Sequence, residues 1–356
     1  MKREQNFEVM RTVAMLFIVV YHCLTHGIGA GYSFSTAELA ELSNVVMIDL
    51  MLVFSSIAVK LYVMVSGYFL VDLDFKLSRL ARTWVSACFY SCVIAATMMM
   101  LGAVPFSMTA LGKSFLPLST DAYWFVTQFV GLLIISPFLA LMVRQLTHRQ
   151  YVVLLIGGAL LCLAIIPDFP LGKRFHVAHG NSVWSFAYLF LVAGYVKHYL
   201  KRISMRWLLM ATALVVLLTL GCELWLGKNE QGVHLLWLDY NALPFVLSVM
   251  VFVIVRQWQM GNGGFGKLLA RMAPFTFGVY LIHDHLMMRQ WLWTNIDLSP
   301  LYGQWILPLA VAGLCCGLFL VCVIIDTCRQ RIIKILKVDE VMKKLDRWST
   351  RHEFFA

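Results

Sequence analysis

Arg11 and His22 are the two residues whose types and spacing most directly suggest chemistry. They lie within one apolar run, residues 9–27. On an α-helix, eleven steps of ~100° return to nearly the same face, ~16 Å further along the axis. An ionisable side chain in hydrocarbon costs roughly 2.5–3.5 kcal/mol by insertion scales, so such residues are most often functional. We therefore expect both side chains to line one hollow, with neutral His22 available as a general base.

Glu8 extends this polar stripe, because it lies three residues before Arg11 and can pair with it on one helix face. Glu8, Arg11 and His22 are the catalytic candidates. The alternative is that Arg11 only anchors the helix at the membrane surface and His22 only bonds to a neighbouring helix. The shared face of Arg11 and His22 favours the functional interpretation.

A second basic pair follows the next apolar run. Arg79 and Arg82 are three residues apart, so on a short helix they point the same way and can bind phosphate oxygens. An ordinary positively charged loop would give the same spacing, and the spacing alone favours that interpretation. Just before this loop, Ser66 can form a hydrogen bond across a helix bundle, and Gly67 permits close helix packing.

Four further residues stand out by their types and positions. Tyr68 ends the second apolar run and Trp124 begins another, where an interfacial aromatic residue would also be expected. His283 and Asp284 lie near the middle of a late apolar run. They indicate a proton or ion path, a reaction chamber, or a structural cluster. Lys60 also lies in an apolar run and requires a partner, and its role is open.

The composition requires that these residues be positioned by membrane helices. The chain has 356 residues, of which 60% are hydrophobic and 13% charged, with mean hydropathy +0.77. Apolar runs of about 20 residues recur along it, which predicts an all-α, polytopic membrane helix bundle. The ten predicted spans are residues 9–27, 45–70, 84–104, 123–143, 151–167, 183–199, 207–226, 240–255, 273–293 and 303–325. The nine cysteines fall mostly inside these spans, so neither disulfides nor a metal site is predicted.

The basic residues predict the orientation of the bundle. With the N-terminus in the cytoplasm, twenty-two of the 29 Lys and Arg residues fall on the inner side and four in outer loops. This bias places both termini in the cytoplasm and accounts for the net charge of +10 without nucleic acid as a partner. Residues 327–356 form a basic amphipathic tail suited to the inner leaflet. Residues 1–326 then form the transmembrane domain, and any chemistry occurs within it.

Taken in order, these motifs resemble the integral-membrane acyltransferase family 3, whose members O-acylate cell-surface carbohydrates. The segment from Asn6 to Arg11, followed by His22, resembles the family's first-helix motif. Arg79 and Arg82 are similar to its two-arginine motif. The remaining similarities are carried by residues 62–70, which contain Ser66-Gly67-Tyr68, by residues 123–125 and 136–139, and by residues 276–283, which end in Tyr-Leu-Ile-His.

The resemblance implies transfer of an acyl group, acetyl as the first expectation, from cytoplasmic acetyl-CoA to a hydroxyl of a cell-surface or lipid-linked glycan. Acetyl-CoA is then a donor substrate, and no bound cofactor is expected. Arg79, Arg82, Arg11 and Ser66 are the expected donor-binding residues. Tyr68, Trp124, His283 and Asp284 are the expected acceptor-binding residues. The expected location is the bacterial plasma membrane, as a multi-pass protein in contact with the lipid bilayer, and a homo-oligomer is left open.

Two other classes of function are compatible with the same residues. A secondary transporter or a flippase for lipid-linked glycans also has many spans and buried ionisable groups. It would be favoured by inverted repeats, which are not evident in the sequence. A non-catalytic assembly protein would not depend on His22. A transient acyl-histidine is a further alternative for the mechanism itself.

Overall fold

The computed structural model describes residues 4–28, 42–120, 122–162, 181–229, 242–260 and 263–351, and every regular element in these ranges is helical. The α-helices are α1 (Gln5–His22), α2 (Leu42–Ser56), α3 (Ala58–Leu70), α4 (Leu77–Met100), α5 (Met108–Ser114), α6 (Trp124–Gln145), α7 (His148–Cys162), α8 (Val183–His198), α9 (Met205–Asn229), α10 (Ala242–Gln257), α11 (Gly264–Met272), α12 (Thr276–His283), α13 (Leu286–Asn295), α14 (Leu307–Ile335) and α15 (Val338–Arg351). A π-helical segment (Cys23–Ile28) extends α1, and short 3₁₀ turns occupy Ala273–Phe275 and Ser299–Leu301.

Six helical segments in the described part of the chain are long and apolar enough to cross a membrane. They are Gln5–Ile28, Ser43–Leu70, Leu77–Met100, Trp124–Gln145, Met205–Trp225 and Leu307–Ile335. Each overlaps one of the ten predicted spans, so the all-helical, multi-pass architecture is confirmed. The other four predicted spans correspond to α7, α8, α10 and the pair α12–α13, which are shorter or interrupted; residues 163–167 and 240–241 of these spans lie outside the described residues. The total of ten spans and the cytoplasmic termini stay predictions.

α1 is the central helix of the bundle. It packs against α2, α3, α11, α12 and α14. Its buried side chains include Phe7, Met15 and Val19, which are at most 1% exposed. A helix that is apolar on most of its faces is stable only when other helices surround it. Glu8, Thr12 and His22 of α1 are therefore held inside the protein.

Two glycines allow neighbouring helices to pack closely. A Cβ atom on Gly67 of α3 would lie 2.9 Å from the Cα atom of Phe190 in α8. A Cβ atom on Gly278 of α12 would overlap the carboxylate of Asp326 in α14. Small residues at helix crossings are the common device for tight packing in membranes, and Gly67 has the packing role expected of it.

Two of the apolar runs contain breaks that periodicity does not predict. The expected span 273–293 was continuous, but the structure divides it at Asp284 and His285, which separate α12 from α13. After His22, the last two turns of the first span widen into the π-helix Cys23–Ile28. Irregular backbone at membrane depth is tolerated where protein buries it or where it lines a cavity, and π-helical turns occur frequently at functional sites. Both breaks lie next to the residues described below.

The C-terminal segment packs against the start of α4. α14 continues through residue 326 as far as Ile335, and Lys337 then reverses the chain with φ of 52°. Asp346 of α15 accepts hydrogen bonds from the Ser78 backbone N–H at 2.9 Å and the Ser78 hydroxyl at 2.7 Å. Asp339 pairs with Arg82. The division at residue 326 and the placement of the tail on the inner leaflet stay predictions.

Candidate functional site

His22 is held from one side by a second imidazole. Its Nδ1 atom lies 2.9 Å from Nε2 of His283. Nδ1 of His283 lies 2.6 Å from the Val279 carbonyl oxygen, which can only accept a hydrogen bond. His283 therefore donates through Nδ1, and when neutral it accepts at Nε2 from the Nδ1–H of His22. Nε2 of His22 is the nitrogen left without a proton, and it has no hydrogen-bond partner among the described residues.

Asp284 completes the support of His22. Its Oδ1 atom lies 3.5 Å from Nδ1 of His22 and 3.3 Å from Nη1 of Arg289. The Asp284 side chain is 1% exposed, whereas that of Arg289 is 27% exposed. A buried carboxylate beside His22 Nδ1 favours the imidazolium that would form if Nε2 accepted a proton. The break between α12 and α13 makes this contact possible, because Asp284 is the first residue after α12.

His22 also lines a cavity of about 340 Å³, which we call the His22 cavity. This volume lies within the usual range for small-ligand sites, ~300–1,000 Å³. The lining combines hydroxyl, amide, imidazole and guanidinium groups with apolar walls. The lining residues are Ile18, Tyr21, His22, Thr25, His26, Ser55, Ser56, Val59, Trp124, Asn181 and Arg289. Such a lining suits a ligand that carries hydroxyl groups.

Arg11 lies at the opposite end of α1 and does not line the His22 cavity. It pairs with Glu8 at 3.2 Å, as expected, and its guanidinium carbon is 5.7 Å from the centroid of the Phe69 ring. On the side towards Arg11, Ile18 and Met15 border a small pocket next to the His22 cavity. Its volume of about 10 Å³ is room for at most one water molecule.

We expected Arg11 and His22 to line one hollow, but Arg11 lines neither the His22 cavity nor the small pocket beside it. The physical reason is packing: apolar side chains of α1 fill the interval between Arg11 and His22, as close-packed interiors require.

The two predicted donor-binding arginines lie at the start of α4. Nη1 of Arg79 donates to the Asp74 carbonyl oxygen at 2.7 Å, and Arg82 pairs with Asp339. α4 begins at the same end of the bundle as Arg11, and α14 links the two places. Gln330 of α14 donates to the Pro274 carbonyl at 3.2 Å. Pro274 closely follows Leu269, whose carbonyl accepts a hydrogen bond from Thr12 of α1 at 2.8 Å.

Ser66 and Tyr68 lie away from the His22 cavity. The Ser66 hydroxyl donates to the Tyr62 carbonyl one turn earlier, at 3.1 Å. Tyr68 packs against Phe7, with ring centroids 4.7 Å apart, and Nζ of Lys197 lies 4.8 Å from the centroid of the Tyr68 ring. His283 and Asp284 contact His22 directly. Of the four expected acceptor-binding residues, Trp124 is the one that lines the cavity.

Asp72, just after α3, lies in a small charged cluster at this end of the bundle. Its carboxylate is 2.7 Å from Nζ of Lys197 and 3.1 Å from Nε2 of His198. Burial alone would raise the pKa of Asp72, but the hydrogen bond and charge of Lys197 together with the charge of His198 lower it below its usual range. The cluster thus joins the end of α3 to the end of α8.

Lys60 is buried, and its ammonium group donates to the Ser56 carbonyl oxygen at 3.1 Å. Since Ser56 lines the His22 cavity, this hydrogen bond connects Lys60 to the cavity wall. The sequence does not indicate a role for Lys60, and its hydrogen bond to Ser56 shows that it lies beside the His22 cavity.

The sequence does not predict a metal site, but three possible metal ligands lie close together at His22. One ligand atom each from His22, His26 and Asp284 lies within 4.8 Å of the others. Ligand atoms around zinc are ~3.3 Å apart at bond lengths of ~2.0 Å, so this arrangement is too open. The guanidinium of Arg289 beside Asp284 also repels a cation. We assign no metal here, and the expectation stays a prediction.

Several contacts at the site were not foreseen from the sequence. His26 follows His22 by one helical turn, their rings 5.6 Å apart, and that spacing was the available signal. The Tyr123 hydroxyl donates to the Leu281 carbonyl at 2.9 Å and holds α12 beside α6. Asp326 is buried and bonds to Tyr90 at 2.7 Å and to Arg329 at 2.6 Å. The Asp326–Arg329 spacing of three residues indicated this pair, whereas Tyr90 is remote in sequence.

Comparison with known proteins shows the family to which this chain belongs. Residues 4–327 match the model of acyltransferase family 3, described as an acyltransferase domain. The match covers nearly the whole chain, so this protein belongs to that family of membrane acyltransferases. Neither the curated proteins nor the solved structures include a match to this chain.

Proposed function

We propose that this protein transfers an acetyl group from acetyl-CoA to a hydroxyl of a cell-surface or lipid-linked glycan, with His22 as the general base. The observation that carries the proposal is the position of His22: its Nδ1 atom lies 2.9 Å from Nε2 of His283, and its side chain lines a cavity, so Nε2 is the nitrogen that can accept a proton. Family membership supports acyl transfer as the class of reaction.

In the proposed reaction, the acceptor hydroxyl lies in the His22 cavity and gives its proton to Nε2 of His22. The hydroxyl oxygen attacks the thioester carbonyl carbon, and the tetrahedral intermediate collapses with loss of the CoA thiolate. His22 returns the proton to the thiolate, so the products are the ester and free CoA. Asp284 stabilises the transient imidazolium through its position beside Nδ1. General base catalysis of this kind contributes typically 10²–10⁴-fold in rate.

The donor would approach from the end of the bundle that carries Arg11, Arg79 and Arg82, where guanidinium groups can bind phosphates. The separation of ~16 Å between Arg11 and His22 along α1 is comparable with four to five extended peptide-like units, the order of length of a pantetheine arm. For the thioester to reach His22, Met15 and Ile18 must move aside. Donor binding is therefore expected to open the small pocket between them.

The acceptor is proposed to enter from the cavity side. Trp124 offers an apolar face for a sugar ring, and Thr25 and Asn181 offer hydrogen bonds to its hydroxyl groups. The proposed location is the inner membrane of a bacterium. A transient acyl-histidine on His22 would use the same two partners of Nδ1, so it remains the alternative form of this mechanism.

The test uses the purified full-length chain in phosphatidylcholine nanodiscs with acetyl-CoA and a lipid-linked glycan fraction. We expect release of free thiol that depends on the glycan, and a gain of one acetyl group in the mass spectrum of the glycan. Absence of both signals would contradict the proposal. Glycan movement across the bilayer without thiol release would favour the transporter alternative.

A further inference from the structure

A second polar cavity lies at the start of α4, away from His22. Its volume is about 250 Å³, and it is formed between α4, α14 and α15. We call it the Arg329 pocket. Its lining residues are Arg82, Val85, Ser86, Arg329, Gln330, Ile333, Val338 and Asp339. Two guanidinium groups, a hydroxyl and an amide thus surround one small space.

Arg329 is built into this pocket. Its Nε and Nη2 atoms donate to the two carboxylate oxygens of Asp326, at 2.6 Å and 3.2 Å, and its side chain is 10% exposed. Its Nη1 atom lies 3.3 Å from the Ser86 hydroxyl oxygen. The bidentate pair fixes the plane of the guanidinium, so the remaining N–H groups are preorganised beside Ser86.

Arg82 is the more exposed of the two arginines in the pocket. It pairs with the carboxylate of Asp339, and both side chains are well exposed, at 47% and 55%. Exposed ion pairs of this kind are weak, ~0.2–1 kcal/mol, so a stronger anion can displace the carboxylate. If Asp339 turns away, the pocket keeps two guanidinium groups and only the charge of Asp326 to balance them.

We propose that the Arg329 pocket is a phosphate-binding subsite, formed by Arg82, Ser86 and Arg329, and that the Asp339 carboxylate occupies it until a phosphate replaces it. Phosphate oxygens suit this set because guanidinium groups bind them in pairs and a hydroxyl donates a further hydrogen bond. The phosphate belongs either to CoA or to a lipid headgroup.

The assignment of the phosphate to CoA rests on the proposed function, and the position of the pocket is compatible with that assignment. Arg82 and Ser91 lie on α4 nine residues apart, a rise of ~14 Å. The Ser91 hydroxyl is 3.5 Å from Nε2 of His285, the neighbour of Asp284. A phosphate in the pocket would thus lie about one pantetheine length from the level of His22.

The test is the affinity for CoA of the full-length chain in phosphatidylcholine nanodiscs, measured by titration calorimetry. Asp339→Asn removes the competing carboxylate, so we expect CoA to bind about two- to fivefold more tightly. Glu340→Gln is the matched control, since it removes the same charge from the next exposed residue and leaves the affinity unchanged. Adding Arg82→Gln to Asp339→Asn should abolish the gain, as expected when both act on one ligand.

A parallel measurement distinguishes the two sources of phosphate. Nanodiscs with phosphatidylglycerol are used to count lipids retained by the same variants in native mass spectra. A gain in CoA affinity assigns the pocket to the nucleotide, and a gain in retained phosphatidylglycerol alone assigns it to a lipid headgroup. Unchanged values in both measurements, or an equal gain with Glu340→Gln, would overturn the proposal. A gain in CoA affinity without thiol release would sustain this subsite while contradicting the proposed reaction.

Discussion

The Val279 carbonyl determines which nitrogen of His22 can accept a proton. It binds the Nδ1–H of His283, which leaves Nε2 of His283 as the acceptor for His22. Two imidazoles in series thus transmit a backbone constraint to His22. In the proposed reaction, Asp284, at 3.5 Å from Nδ1 of His22, would have the role that a carboxylate has beside the catalytic histidine of hydrolases.

Asp284→Asn tests this arrangement by replacing one carboxylate with a neutral amide. The variant loses the negative charge beside the imidazolium, so we expect kcat for acetyl transfer to fall on the order of 10²-fold. The KM for acetyl-CoA should stay the same, because Asp284 does not lie at the arginine end of the bundle. Steady-state thiol release gives both constants.

Asp297→Asn is the matched control for this variant, since Asp297 is exposed and its hydrogen bonds come from the nearby Ser299, whose backbone N–H donates at 2.9 Å. It should retain full activity. An Asp284→Asn enzyme with unchanged kcat would show that this carboxylate has no part in the reaction.

The sequence predicted the identity of these residues better than their roles. His22, His283 and Asp284 were all candidates, because ionisable groups in apolar runs are rare. His22 and His283 are 261 residues apart, however, and one sequence carries no signal for a contact across that separation. The contacts of His283 and Asp284 with His22 were therefore not foreseen.

The geometry of the site depends on the points where helices pack most closely. α3 supplies Val59 to the His22 cavity, and it packs on α8 at Gly67. Ile57 lies between α2 and α3 with helical dihedral angles, so the two helices continue as one segment, Ser43–Leu70. The position of the cavity wall thus depends on the Gly67 crossing.

Gly67→Ala tests the crossing. Its Cβ atom would meet the Phe190 backbone at 2.9 Å, and backbone cannot rotate away, so we expect a loss of about 1–3 kcal/mol in stability. Gly313→Ala in α14 meets no atom within 4 Å and should be neutral or slightly stabilising. Thermal unfolding in detergent compares the two, and equal midpoints would contradict the close crossing.

The junction of α3 and α8 makes stability depend on pH. The pKa of Asp72 is lowered in the folded protein, so its charge contributes stability above its unfolded pKa of ~3.9. This contribution is lost as the pH falls through the lowered folded pKa. Because the Asp72 side chain is 42% exposed, we expect an effect of ~0.2–1 kcal/mol.

Asp72→Asn removes that contribution. The variant should unfold at a lower temperature than the native chain at pH 7, and the difference should vanish as the pH falls from 5 towards 3. Thermal scans across this range measure it. A difference that grows on acidification would have the wrong sign for a carboxylate stabilised by Lys197 and His198.

Hydropathy predicted where the helices lie more accurately than where they break. Six of the predicted spans are helices of membrane-spanning length, because long apolar runs have few other stable conformations. The break at Asp284 and the π-helix after His22 depend on tertiary contacts that satisfy the freed backbone groups. Such contacts do not alter the periodicity of apolar residues, so neither break can be predicted from it.

At the scale of the whole molecule, the proposed reaction requires an orientation. The arginines of the donor end must face the compartment that holds acetyl-CoA, and the His22 cavity must open towards the acceptor. The basic residues of the sequence predict that orientation, with both termini in the cytoplasm. The structure shows that the arginines and the His22 cavity lie at two separate ends of the bundle.

A matched pair of cysteine substitutions tests the orientation. Ser204 precedes α9 in a predicted inner loop and Ser299 lies in a predicted outer loop, and both are exposed. After correction for the native cysteines, we expect Ser299→Cys to react with a membrane-impermeant maleimide in intact cells. Ser204→Cys should react only after permeabilisation. The reverse pattern would show that the bundle is inverted.

The proposed reaction requires His22 to remove the proton from the acceptor hydroxyl. His22→Gln removes the general base and keeps a polar side chain of similar size. We expect acetyl transfer to the glycan to fall at least 10²-fold while CoA affinity and the amount of protein in the membrane are unchanged. Transfer at the native rate by His22→Gln would contradict the proposed reaction.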